Sequence, residues 1–175
     1  MTASTLDRRT LLFGGAALTV LAACSNTTAE DTAMSQATPA APTSDATDWS
    51  SLTEAQWRER LTEEEFRVLR KEGTERAGTS PLNAEKREGT FTCAGCALPL
   101  FASDTKYESG TGWPSFFDTL PGAVETKTDF KLIVPRTEYH CARCGGHQGH
   151  VFKDGPEPTG LRYCNNGVAL DFVPA

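Results

Sequence analysis

Apolar and polar positions between residues 49 and 73 follow the period of an α-helix. Two segments, 53–56 and 62–65, begin with Thr and end three residues later with Gln or Glu, which is the pattern of a capping box. Large apolar residues then recur three or four positions apart, on one helical face: Trp57 and Leu61, then Phe66 and Leu69. The pattern predicts two short helices that end before Gly73 and cover one edge of a core.

From residue 88 onward the pattern changes to short apolar runs separated by Gly, Pro, Asn and Asp. Short strands in series with close turns predict antiparallel sheet. The runs contain Phe91, Leu98, Leu100, Phe101, residues 130–134, Tyr139, and residues 151–152, 161–163 and 168–173. No amphipathic run of helix length follows residue 75, so the predicted fold class is mainly β with short N-terminal helices.

Residues 1–23 have the composition of a signal peptide. Arg8 and Arg9 precede an apolar run at 11–23, which is shorter than the roughly 20 residues that span a bilayer. Small residues then lead to Cys24, as in a bacterial lipoprotein, in which the Cys is acylated and becomes the new N-terminus. An ordinary secretory signal with a chance Cys is the alternative, and the Arg pair fits either twin-arginine or general export.

Residues 24–48 are rich in Ser, Thr, Ala, Pro and Asp and contain almost no large apolar side chain. Such a segment cannot bury enough surface to offset its ordering entropy, and it predicts a disordered tether. We therefore expect one folded domain at 49–175, exported to the periplasmic side of the cell envelope. A lipid on Cys24 would be its only contact with the membrane.

The composition is that of a globular protein, with 38% hydrophobic and 23% charged residues. The formal net charge is −6, and the basic pair lies in the signal peptide, so the folded part is acidic. Nucleic acids are bound largely through Lys and Arg, which argues against a nucleic-acid partner.

Four of the six cysteines form two Cys-x-x-Cys pairs and predict a structural zinc site: Cys93, Cys96, Cys141 and Cys144. The pairs are separated by residues 97–140, a longer stretch than the usual spacing of about 15–20 residues. The ion would thus close a long loop and contribute folding free energy to a small sheet. A full set of four cysteine ligands leaves no open position, so we expect no chemistry at the metal. A pair of disulfides is the alternative in an exported protein.

Cys164 has no partner in this arrangement and is the candidate nucleophile. In a predicted strand its side chain shares a face with that of Arg162, and Asn166 follows at the Asn-Gly turn. A nearby guanidinium stabilises a thiolate, which is the reactive form of cysteine. A buried, purely structural Cys is the alternative interpretation.

Two further segments favour a reactive site. His147 and His150 follow the second cysteine pair directly, and His is the usual proton donor or acceptor near neutral pH. Either could instead be a metal ligand, although four cysteines already complete the site. Trp113 stands between Gly and Pro, which presents an indole face suited to a methyl or methylthio group. A turn with a core Trp explains that segment equally well.

These residues together resemble methionine-R-sulfoxide reductase. The resemblance rests on Gly-Trp-Pro-Ser-Phe at 112–116, on the His-x-Gly-His-Val-Phe-x-Asp-Gly-Pro run at 147–156 and on Arg-Tyr-Cys-x-Asn at 162–166. The two cysteine pairs and Gly-Thr-Glu-Arg at 73–76 also fit. The similarity covers roughly residues 50–174 and implies two antiparallel sheets with helices at the N-terminal side.

The resemblance also implies a mechanism. The Cys164 thiolate attacks the sulfoxide sulfur of oxidised methionine, in proteins and also as the free amino acid, the oxygen is protonated, and a sulfenic acid remains. The R epimer is the expected substrate, since one enzyme serves each epimer. The implied roles are methyl binding by Trp113, oxygen binding or protonation by His147, His150 and Asn166, and further substrate contacts by Phe152 and Arg162.

One position departs from the family pattern. Many members have Cys where this chain has Thr111, and that Cys resolves the sulfenic acid as a disulfide. Cys24 and the four metal cysteines leave no spare thiol here, so we expect a thioredoxin-like protein or another external thiol to reduce the sulfenic acid. We expect a monomer.

Two other functions are compatible with the residues alone. A non-catalytic zinc-ribbon module would use the four-cysteine site to present a protein-binding surface. A thiol-disulfide oxidoreductase would use the Cys-x-x-Cys pairs as redox centres.

Overall fold

The computed structural model of the chain describes residues 47–175. The predicted signal peptide, Cys24 and nearly all of the predicted tether lie outside these residues, so the predicted lipidation and domain boundaries remain predictions. Within the described part, neither helix is long and apolar enough to cross a bilayer.

Two short helices form at the N-terminal side of the described part, as predicted: α1, Glu54–Arg60, and α2, Glu63–Lys71. Both capping boxes are complete. The Thr53 amide donates to Gln56 Oε1 at 2.9 Å and the Thr62 amide donates to Glu65 Oε2 at 2.7 Å, which satisfies backbone donors that a helix start leaves free. The apolar faces are buried, and α2 packs against the strand that carries both site histidines.

Within residues 47–175, nine short strands form two antiparallel sheets, which confirms the predicted fold class. The strands are β1 Gly89–Cys93, β2 Pro99–Ala102, β3 Lys106–Tyr107, β4 Ser115–Phe116, β5 Val124–Asp129, β6 Arg136–Cys141, β7 His147–Phe152, β8 Arg162–Asn165 and β9 Leu170–Pro174. The smaller sheet has the order β2-β1-β9, and the larger has the order β3-β4-β8-β7-β6-β5. The helices among residues 76–175 are three short 3-10 helices, and this range contains no α-helix.

An aromatic core lies between the two sheets. Phe101 of the small sheet stacks on Phe116 of the large sheet with ring centroids 4.0 Å apart. Phe91 meets Phe116 edge-on at 5.0 Å, and Tyr139 meets Phe101 edge-on at 6.2 Å. Aromatic pairs in these geometries contribute beyond their buried area, so they fix how the sheets face each other.

The strand predicted at 130–134 is wrong. In the β5–β6 ladder, Asp129 pairs with Arg136, which leaves residues 130–135 as the connection between the two strands. The apolar run suggested a strand because β-branched and aromatic residues favour strands. Here the flanking segments supply the ladder, and the run lies at the exposed tip.

Candidate active site and metal centre

Strand β8 places Cys164 in the middle of the large sheet. It pairs with Ser115 of β4 on one side and with His150 of β7 on the other. Directly opposite residues of an antiparallel pair project to the same side, with Cβ atoms about 4.5–5.5 Å apart. Cys164 is a free thiol and is half-buried.

A pocket of about 120 Å³ opens at this thiol. Five residues predicted from the sequence contribute to its wall: Trp113, His150, Phe152, Cys164 and Asn166. Four further wall residues did not emerge as site residues from the sequence: Thr74, Arg136, Gly149 and Asn165. A pocket of this size suits a single side chain that enters from a larger substrate.

Hydrogen bonds to the preceding residue, Gly112, and from its own indole hold Trp113 in place. Gly112 has a φ of 87°, a conformation that L side chains rarely adopt. Its carbonyl accepts hydrogen bonds from the Gly78 amide at 2.7 Å and from Asn83 Nδ2 at 3.0 Å. The Trp113 indole N–H donates to the Glu75 carbonyl at 3.0 Å, so the ring is half-buried and fixed beside the pocket.

Glu75 ties together two parts of the pocket wall, which sequence reasoning did not foresee. Its carbonyl accepts from Trp113, its amide donates to Asn166 Oδ1 at 2.9 Å, and its carboxylate accepts from the Gly167 amide at 2.6 Å. The only sequence signal was its place in the Gly-Thr-Glu-Arg motif. Asn166 Nδ2 donates to the Gln148 carbonyl at 2.9 Å, which leaves its second amide hydrogen for other partners.

His150 is paired with a carboxylate outside the predicted set. Its Nε2 lies 2.8 Å from Asp129 Oδ2, and Arg136 Nη2 donates to that same oxygen at 2.6 Å. The Lys131 amide donates to the other oxygen at 2.8 Å. These bonds, that of Lys131 foremost, hold the pKa of Asp129 well below its usual range. The carboxylate only accepts, so Nε2 carries the proton and Nδ1 is free to accept one.

The pKa of His150 lies below its ordinary value of 6.5 because burial disfavours the charged ring more than Asp129 favours it. At neutral pH this imidazole is therefore uncharged. It can accept a proton and return it, which is the requirement for a shuttle.

His147 lies outside the pocket wall and is only 3% exposed. Its ring meets the His150 ring edge-on at 5.5 Å. Its Nδ1 lies 2.6 Å from Glu138 Oε1, and the other Glu138 oxygen lies 3.1 Å from His140 Nδ1. Burial raises the pKa of Glu138, but the hydrogen bonds from the two imidazoles outweigh it and the net pKa is lowered. A charged carboxylate thus orients His147 behind His150.

Burial raises the pKa of the Cys164 thiol above 9.0. Arg162 acts in the opposite direction, as the sequence predicted, but its effect is smaller. Its guanidinium is bound to Asp154 by two bonds of 2.9 and 2.8 Å and lies 4.4 Å from the centre of the Phe152 ring. The resting group is therefore a thiol, where the sequence suggested a thiolate.

Thr111 lies beside the thiol. Its hydroxyl forms a hydrogen bond with Cys164 that also lowers the pKa of the thiol. Ser109 Oγ connects this hydroxyl, at 2.9 Å, to Ser115 Oγ, at 2.7 Å. The other four cysteines between residues 47 and 175 lie in the metal cluster, so this part of the chain brings no second thiol to the pocket.

The four-cysteine cluster joins one hairpin from each sheet. Cys93 ends β1, Cys96 lies in the β1–β2 turn, Cys141 ends β6 and Cys144 lies in the β6–β7 turn. The four buried sulfurs lie within 4.8 Å of one another. Strand β7, which carries both histidines, begins just after the second pair.

The cluster fits a tetrahedral metal ion. Cys93 Sγ and Cys144 Sγ are 3.7 Å apart, and Cys96 Sγ and Cys141 Sγ are 3.5 Å apart. Four thiolates about 2.3 Å from one zinc ion stand about 3.8 Å from each other, whereas a disulfide requires about 2.05 Å. The alternative of two disulfides is thus not what the geometry shows.

Gln148 links the cluster to the pocket. Its side chain is fully buried, and its Nε2 donates to Cys93 Sγ at 3.4 Å. Its Oε1 accepts from Asn165 Nδ2 at 3.4 Å, and its carbonyl accepts from Asn166. Gln148 thus connects a cysteine of the cluster to two asparagines of the pocket wall.

Comparison with known proteins decides the family. The SelR domain model matches residues 61–174, most of the part of the chain described above. The chain belongs to the B-type methionine-R-sulfoxide reductase family. The resemblance drawn from the motifs is thereby confirmed.

The family relationship extends over nearly the full length of several relatives, each named peptide methionine sulfoxide reductase MsrB. The protein of Agrobacterium fabrum is 52% identical over 70% of this chain and 91% of its own. That of Leptospira interrogans is 52% identical over 66% and 89%, and that of Methanosarcina barkeri is 51% identical over 69% and 85%. A solved Mis18 "Yippee-like" domain is similar at 17% identity, with a TM-score of 0.41 over 51% of this chain and 98% of that one.

Proposed function

We propose that this chain reduces the R epimer of methionine sulfoxide, in proteins and as the free residue, with Cys164 as the nucleophile. The observation that carries the proposal is the pocket itself. It brings one free, half-buried thiol together with an uncharged imidazole, an indole face and an amide donor. These are the groups needed to attack a sulfoxide sulfur and to bind its methyl group and oxygen.

In the first step a bond forms between Cys164 Sγ and the sulfoxide sulfur. The thiol proton passes to the sulfoxide oxygen, and His150 Nδ1 carries it, since Nε2 stays bound to Asp129. The oxygen then moves to Cys164, methionine leaves as the thioether, and the cysteine becomes a sulfenic acid. The protons balance without a charged histidine at rest, which agrees with the uncharged thiol and imidazole of the pocket.

Recognition of the substrate falls to the pocket walls. The indole of Trp113 and the ring of Phe152 provide apolar surface for the S-methyl group. The second Nδ2 hydrogen of Asn166 donates to the sulfoxide oxygen and orients it toward His150. Arg162 lies outside the pocket wall and acts through its positive charge near the thiol. Because the S-methyl group and the sulfoxide oxygen each bind at a fixed position around the sulfur, the pocket selects one of the two epimers.

The sulfenic acid is reduced by a thiol from outside the chain. A first external thiol displaces water and forms a mixed disulfide with Cys164, and a second thiol releases the cysteine. A thioredoxin-like dithiol protein supplies both thiols in one molecule. The hydroxyl of Thr111 cannot take this role, because oxygen does not form the disulfide.

We propose zinc as the ion of the four-cysteine cluster, with a structural role. The donors are four thiolates at tetrahedral spacing, the set that zinc occupies in structural sites. The ion holds one hairpin of each sheet and, through Gln148, the wall of the pocket. Metal analysis of the purified chain should give one zinc per molecule, and a Cys96→Ser variant should bind less.

We further propose that the enzyme is a lipid-anchored monomer on the periplasmic side of the cell envelope. The support is the sequence of residues 1–24, with its Arg pair, apolar run and Cys24. Growth with a radiolabelled fatty acid should label the protein, and Cys24→Ser should abolish the label and release the protein from membranes. An unlabelled wild-type protein would contradict this assignment.

The activity is tested with the purified chain, dithiothreitol and the separate R and S epimers of N-acetyl-methionine sulfoxide. We expect the R epimer to be reduced and the S epimer to persist. A Cys164→Ser variant should lose turnover and keep its zinc and its melting temperature. Turnover retained by that variant, or none by the wild type, would refute the proposal.

A further inference from the structure

The β5–β6 connection carries an unusual exposed apolar surface. Within residues 47–175, five large apolar side chains are exposed, and four of them lie in this one short segment: Phe130, Leu132, Ile133 and Val134. Ile133 is fully exposed. Single exposed apolar residues are ordinary, whereas a contiguous group marks an interaction site. We name residues 130–134 the apolar loop.

The one charged residue of the loop, Lys131, is bound at the end of helix α2. Lys131 forms an ion pair with Glu72 at the end of α2, and its amide donates to Asp129. Glu72 also binds Lys127 at 2.6 Å, so the base of the hairpin is tied to the helix. The one charged side chain of residues 130–134 is thus paired with Glu72, and the other four side chains are apolar.

The residues that flank the loop both adjoin the pocket. Asp129, which precedes it, binds His150 of the pocket wall, and Arg136, which follows the connection, lines the pocket with Cys164. These two end residues are bonded to each other at 2.6 Å, so the loop rises directly from the pocket wall. The base of the loop therefore adjoins the surface around the pocket.

We propose that the apolar loop binds apolar side chains next to the oxidised methionine in an unfolded polypeptide substrate. This inference rests on the proposed function. The pocket, at about 120 Å³, accepts one side chain, so the rest of a polypeptide must lie on the surrounding surface. Methionine is often buried in folded proteins, so it becomes accessible together with other core residues when a chain unfolds. The loop offers these residues a surface that removes apolar area from water.

The test compares three substrates. Two are peptides with one central methionine R-sulfoxide, flanked by Leu and Val in the apolar peptide and by Gly and Ser in the other. The third is the R epimer of N-acetyl-methionine sulfoxide. The enzyme is the purified full chain with dithiothreitol as reductant, so no protein reductant takes part. The triple variant Leu132→Ser, Ile133→Ser, Val134→Ser should lose about tenfold in kcat/KM on the apolar peptide, equivalent to about 1.4 kcal/mol. The other two substrates should change less than twofold.

Val173→Ser is the matched control, because Val173 is the other exposed large apolar residue of the described part and lies in the small sheet. It should leave all three substrates unchanged. Equal kinetics of wild type and triple variant on the apolar peptide would overturn the inference while the activity itself stands. Two further outcomes would also overturn it. One is a triple variant with wild-type kinetics on the apolar peptide but lost turnover with thioredoxin. The other is a triple variant with those same kinetics but lost binding to phosphatidylglycerol vesicles. A wild type inactive on every sulfoxide would instead refute the proposed function.

Discussion

Asp129→Asn tests the pairing that gives His150 its role. The substitution keeps the size of the side chain and removes its charge. In the native protein one carboxylate oxygen accepts from His150 and Arg136, and the other accepts from the Lys131 amide. An amide has one accepting oxygen and one donating nitrogen, so Asn cannot satisfy donors on both sides.

The size of the effect follows from the bonds at risk. A hydrogen bond to a charged group contributes about 1.5–3 kcal/mol, and the 2.8 Å bond to His150 strengthens when the ring takes up the thiol proton. Each 1.36 kcal/mol is a factor of about ten in rate. We therefore expect Asp129→Asn to slow the first step by about 10- to 150-fold, with a smaller loss of stability.

The assay is single-turnover release of methionine from the R epimer, without reductant, between pH 6 and 9. This isolates the attack of Cys164 from the later reduction of the sulfenic acid. Asp104→Asn, at an exposed position between β2 and β3, serves as the control and should match the wild type. Rates of Asp129→Asn within twofold of the wild type across this range would refute the role assigned to the Asp129–His150 pair.

Further predictions concern the thiol, the strands around it and the metal. Because burial raises the pKa of Cys164, its alkylation by iodoacetamide should accelerate about tenfold per pH unit from 7 to 9. Arg162→Gln should slow this alkylation at pH 8. An alkylation rate that reaches a plateau near pH 7 would contradict the raised pKa. Thr111→Cys should yield an intramolecular disulfide after one turnover, seen as the loss of two hydrogen atoms in the mass spectrum, whereas the wild type should show none. Gly149→Ala would place a Cβ 1.9 Å from the Cys164 carbonyl, and calorimetry should show a destabilisation of about 3 kcal/mol, the upper end for overpacking. Removal of the metal should abolish the near-ultraviolet circular dichroism of the folded chain, because structural zinc contributes about 10–16 kcal/mol, as much as a domain's whole stability.

Several features of the site could be predicted from the sequence because each depends on few positions. The Cys-x-x-Cys pairs predicted the metal cluster, and the motifs around Trp113, His150 and Cys164 predicted residues that do meet at one pocket. The contributions of Asp129 and Glu138 could not be predicted. Glu138 reaches His147 across the β6–β7 pairing, and Asp129 reaches His150 across both that pairing and the β5–β6 pairing. The sequence does not reveal the register of these three strands.

The segment 130–134 shows the same limit within the fold. Its composition is that of a strand, yet the ladder pairs the residues on either side of it, and the run became an exposed tip. Secondary structure from composition fails where longer-range pairing is stronger than local preference.

The sequence by itself determined the elements whose bonds are local. These are both capping boxes, the two Cys-x-x-Cys pairs and the series of short strands with close turns, each of which follows from side chains within about four positions of each other. Tertiary structure alone decided the protonation of the site. Arg162, two residues away, lowers the pKa of Cys164, but burial of the thiol by the surrounding strands raises that pKa by a larger amount. Desolvation depends on everything packed around a group, so no reading of its sequence neighbours can supply it.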